Sequence, residues 1–142
     1  MAGINTGRWF ISGIIAGVIL AVVDVVLNGM ILGQQWNDAM TKLNLPAMSG
    51  GSVVVFIIID LVVGLAALWI YVGIRPRYGA NYTTAIYAGL AAWLLTILLP
   101  SVFYLASGLF SAGLVWTGII VGLVAYVVAT VVGAYFYQEE TA

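Results

Sequence analysis

Four uninterrupted apolar runs, each long enough to cross a lipid bilayer, constrain this chain more than any other feature. A helix crossing a hydrocarbon core of roughly 30 Å needs about 20 residues. The runs from about Phe10 to Leu32, Ser52 to Ile74, Thr83 to Ala106 and Ala112 to Tyr137 meet that length. Their many Val and Ile residues do not argue for strands. An open strand edge in lipid leaves backbone groups unpaired, and barrel strands show alternating stretches of about 10 residues, which these continuous runs are not. The expected fold is an all-α integral membrane protein: a single four-helix transmembrane bundle over residues 1–142. The apolar run after Arg8 outlasts the roughly 7 to 15 residues of a signal-peptide core, and no clear Ala-x-Ala site follows, so the first helix is expected to be retained.

Composition narrows function by exclusion. Only 6% of residues are charged, against about 25% in soluble domains. The absence of Cys and His removes thiol chemistry and the commonest transition-metal and haem ligand, so neither a metal nor a cofactor is expected. Four basic residues and a net charge of -1 do not make the dense basic surface that nucleic acid requires. Without a nucleophile and base arrangement, an enzyme is the weakest expectation.

With an even number of spans, both termini and the second connection share a side. That side collects Arg8, Arg75 and Arg77, against Lys42 opposite. The positive-inside rule then places both termini in the cytoplasm; Glu139 and Glu140 on the same side weigh little. Aromatic residues cluster near the expected span ends as interfacial anchors, whereas Trp93 lies mid-span. Trp93 is expected to pack against a neighbouring helix or chain, with contact to an apolar ligand as the alternative.

The connection from Gly33 to Gly51 is the longest. In it Trp36, Ala39, Met40 and Leu43 recur at helical spacing between polar residues, which suits either a short interfacial helix ended by Pro46 or an irregular loop with one Trp anchor. Pro76 is expected to fix the exit from span two. Arg75 and Arg77 beside it are expected to meet anionic lipid headgroups, or an acidic partner subunit.

Polar residues at membrane depth carry the functional signal. Gly13, Gly17, Ala21, Asp24 and Asn28 follow at steps of four, four, three and four, and Asp60, Gly64, Ala67 and Tyr71 at four, three and four. Each acid therefore shares a helical face with small residues, which allow close helix approach. Counted from span midpoints, Asp24 and Asp60 fall at one level. No Lys or Arg lies there, so a proton-sharing pair bonded to Asn28 and Thr96 is expected. Membrane hydrogen bonds contribute only ~0.6 to 2 kcal/mol, while an acid near the core costs about 2.5 to 3.5 kcal/mol. Interhelical glue and a proton, cation or ligand site are both compatible with this cluster of Asp24, Asn28, Asp60 and Thr96. Pro100 is expected to kink span three by freeing the Thr96 carbonyl. Ala16-Gly17 and Ala88-Gly89 hint at a two-plus-two repeat aligning Asp24 with Thr96.

The stretch from Asp24 to Gly29, Trp69-Ile70-Tyr71 leading to Arg75-Pro76-Arg77-Tyr78-Gly79, and Trp93 followed by Pro100 resemble a group of small four-helix bacterial membrane proteins of uncharacterised function. The resemblance implies a bacterial inner-membrane location and no activity. Two functions compete. One is a non-catalytic accessory or scaffold subunit whose partners are lipids and other membrane subunits. The other is a small homo-oligomeric transporter or proton/cation conductor using Asp24 and Asp60.

Overall fold

The computed structural model describes residues 3–139; Glu140 lies outside them. Among the described residues the chain forms five helices and no strand. They are α1 (Thr6–Ile31), α2 (Gly33–Lys42), α3 (Gly50–Tyr78), α4 (Tyr82–Ser107) and α5 (Ala112–Phe136), and all but α2 have membrane-spanning length and apolarity.

Local chemistry sets the helix ends. Asn5 and Asn81 accept the Arg8 and Thr84 N–H groups at 2.9 Å, and Ser49 caps α3 through Ser52. These caps start α1 and α3 before their apolar runs begin, because an N-cap rather than hydropathy decides where the ladder opens. Span two also continues through Pro76, contrary to the exit expected there. Pro76 removes one bond in the last turn, and the helix closes at Gly79, whose φ is +90° and whose N–H reaches the Arg75 carbonyl at 2.8 Å. The connection after span one is a real helix. It ends before Pro46, through Asn44 at φ 54° with Leu45 N–H bonded to the Met40 carbonyl at 2.9 Å, the wrapped pattern of a left-handed C-cap.

The spans form a ring in which α1 packs on α3 and α5, and α4 packs on α5 and α3. The α1–α3 seam is the tightest. A Cβ at Gly17 would lie 2.6 Å from the Leu61 Cα, and one at Gly64 would overlap the backbone of Gly17. Ser12, Ala16, Leu68, Ala85, Ala88, Ala129 and Thr130 are buried in the half of the bundle nearest the termini. The outer surfaces carry exposed Val, Ile, Leu and Phe, the composition that contacts lipid.

Both α1 and α4 switch to π-helical geometry, over Val25–Ile31 and Leu94–Leu98. In α4 the cause is Pro100: without its N–H the Thr96 carbonyl loses its usual partner, and the ladder slips so that Leu99 N–H bonds the Leu94 carbonyl. The expected kink is thus a π segment. Beyond it, residues 99–107 pack on α5, and a space lined by α1, α2, α3 and this segment opens at the face covered by α2.

Candidate functional site

That opening is a chamber of about 450 Å³ lined by Asp24, Asn28, Trp36, Phe56, Tyr104 and Phe110, with Met40 and Met48 among its apolar walls. The π segment of α1 begins directly after Asp24, and Asp24, Asn28, Gly29 and Gly33 all line the space. Asn28 Nδ2 donates to Asp24 Oδ1 at 2.6 Å, and Trp36 Nε1 donates to Asn28 Oδ1 at 2.9 Å. This chain ties the roof helix to the acid. Trp36, expected only as an interfacial anchor, is therefore a wall of the site, and the four-residue steps Asn28, Leu32, Trp36 are the signal that could have revealed it.

Asp60 stands deeper. Gly13 packs on Leu65 and Gly17 on Leu61, so Asp60 is level with the residue after Gly17. At 1.5 Å per residue this is about 9 Å along the axis from Asp24. Equal depth does not hold, because the glycine seam and not the span midpoints sets the register. Side chains lean toward the N-terminus of their own helix, so these two lean toward each other, and Asp60 lies within electrostatic reach of Asp24. Asp60 Oδ2 is buried with no hydrogen-bond partner among the described residues.

Thr96 makes no direct hydrogen bond to either acid among the described residues. Its hydroxyl donates to the Ala92 carbonyl at 2.8 Å and lies 2.9 Å from the Tyr126 hydroxyl, because Tyr126 reaches it across the α4–α5 contact. A structural echo accompanies this pair. Gly17 meets the Asp60 carbonyl and Leu61, and Gly89 meets the Tyr126 carbonyl and Val127. Asp24 and Asp60 thus occupy in the α1–α3 hairpin the places that Thr96 and Tyr126 occupy in the α4–α5 hairpin. Each hairpin also carries a π segment beyond its glycine contact, starting eight residues after Gly17 and five after Gly89.

Trp93 packs inside the bundle, its Nε1 donating to the Ile119 carbonyl at 3.0 Å, and it is no part of the chamber. At the opposite face Arg75 turns inward. Its Nη1 is 2.9 Å from Glu139 Oε1, its guanidinium lies 5.2 Å from the centre of the Tyr137 ring, and its side chain is 17% exposed. The pair is a charge contact without aligned hydrogen bonds, and Arg75 Nε and Nη1 are buried with no hydrogen-bond partner among the described residues. Arg75 is thereby engaged within the chain, whereas Arg77 is exposed.

No family model, curated protein or solved structure matches this chain.

Proposed function

We propose that this chain is a non-catalytic accessory or scaffold protein of the bacterial inner membrane, with both termini cytoplasmic, that receives a small ligand in the chamber beneath α2. One observation carries the reading: the chamber is closed on the side toward the termini. Below it the α1–α3 seam closes at Gly13, Gly17 and Gly64, and fully buried Leu68, Thr84 and Thr130 fill the half of the bundle nearest the termini. A blind chamber suits holding a ligand or a partner's side group better than passing one. The three-to-one bias of basic residues supports the orientation.

A second reading, transport, draws support from Asp60, whose unpartnered buried oxygen lies below the chamber toward the seam. Transport would require that seam to part. Gentle isolation from the native membrane is expected to recover the chain with a stoichiometric partner, and proteoliposomes containing it alone are expected to show no proton or small-cation flux above protein-free controls. Flux abolished by Asp60→Asn would replace the accessory reading with the transport one.

A further inference from the structure

Resting on the reading of the chamber as a ligand-holding space, we infer that its ligand is a small organic monocation, with its ammonium group at Asp24 and its apolar body against the aromatic wall. Among the residues lining the chamber Asp24 is the only one with a charged side chain, and no Lys or Arg joins it. An anion would meet an uncompensated carboxylate in a half-enclosed, low-dielectric space, whereas a cation is attracted.

The walls decide which cation. Trp36 and Phe110 pack edge to face with centroids 5.2 Å apart, and Tyr104 and Phe110 do the same at 5.2 Å. With Phe56 on the α3 side, four aromatic rings contribute to the lining. Aromatic faces attract ammonium groups through the ring quadrupole, and desolvated instances are worth about 2 kcal/mol. A hard inorganic ion is a poor fit, because it needs roughly six or more oxygen ligands and this wall is mostly carbon. An alkylated ammonium gives up little hydration and is matched by rings and one carboxylate.

The hydrogen bonds prepare this geometry. Asn28 holds Asp24 Oδ1 with its amide and fixes the Trp36 ring with its carbonyl, which leaves Asp24 Oδ2 uncommitted. The volume of about 450 Å³ is within the usual range for small-ligand sites, roughly 300 to 1,000 Å³. A quaternary ammonium could arrive as a soluble amine or as a phosphatidylcholine headgroup, since both carry the same recognised group.

The test uses the full chain in uncharged maltoside micelles, titrated with benzyltrimethylammonium and followed by Trp fluorescence and calorimetry. Saturable binding is expected, weakened about tenfold or more by Asp24→Asn, a substitution that keeps an acceptor for Asn28. Neopentylbenzene, the neutral carbon isostere, is expected to compete poorly. Phosphatidylcholine that competes identifies a headgroup as the source; phosphatidylcholine that does not compete identifies a soluble amine. Equal binding of the neutral isostere, or binding insensitive to Asp24→Asn, would overturn the cation assignment and leave a ligand-holding chamber intact. Failure of both probes to bind would overturn the chamber reading as well.

Discussion

Gly64→Val should lower the stability of the bundle by about 3 kcal/mol or more, enough to abolish a folded monomer in detergent. A Cβ at Gly64 would collide with the Gly17 backbone, and that at Gly17 with the Leu61 Cα at 2.6 Å. Neither neighbour is a flexible side-chain end, so relief requires the helices to separate. Gly73 provides the contrast: it lies on the same helix with nothing within 4 Å of an added Cβ, and Gly73→Val should leave the melting midpoint nearly unchanged. Thermal unfolding in micelles reads both. Similar midpoints for the two variants would mean that the α1–α3 seam is not the closest contact.

The second large effect separates the two acids. Asp24 holds Asn28 at 2.6 Å, so Asp24→Leu strands a half-buried amide and should cost about 1 to 3 kcal/mol. Asp60 has no hydrogen bond to protein among the described residues, and its Oδ2 is buried. Asp60→Leu removes a desolvated, unpartnered group and should therefore be neutral or stabilising by a comparable amount, about 1 to 3 kcal/mol. The melting midpoint should fall for Asp24→Leu and hold or rise for Asp60→Leu. Asp60→Leu falling as far as Asp24→Leu would restore the glue reading, in which Asp60 holds the helices together.

The spans were legible because lipid demands long apolar helices, and the small-residue faces of α1 and α3 did mark their contact. Relative depth was not legible. Span midpoints shift with every residue of capping, whereas the register follows from which backbone Gly64 touches. Thr96 was drawn to the acids by its place on the repeat, but its real partner, Tyr126, lies on α5, and only the α4–α5 packing brings them together. The chamber itself depends on Pro100, whose missing N–H produces a π segment, and on α2 folding back so that Trp36 meets Asn28. The amphipathic spacing of α2 was visible in the sequence, while its role as a roof is tertiary. Arg75 read as a headgroup contact because nothing local to it predicts that Glu139 and Tyr137 return beside it from the end of α5.

The most direct test is the side from which the chamber can be reached. Single cysteines at Val25, which lines the chamber beside Asp24, at Leu68, which is fully buried below it, and at Tyr78, at the opposite end of α3, are exposed in intact cells to a small membrane-impermeant thiol reagent. Val25→Cys should react from outside, Tyr78→Cys only after the membrane is opened, and Leu68→Cys under neither condition. Reaction of Val25→Cys from both sides, or of Leu68→Cys from either, would contradict a blind chamber closed by the glycine seam.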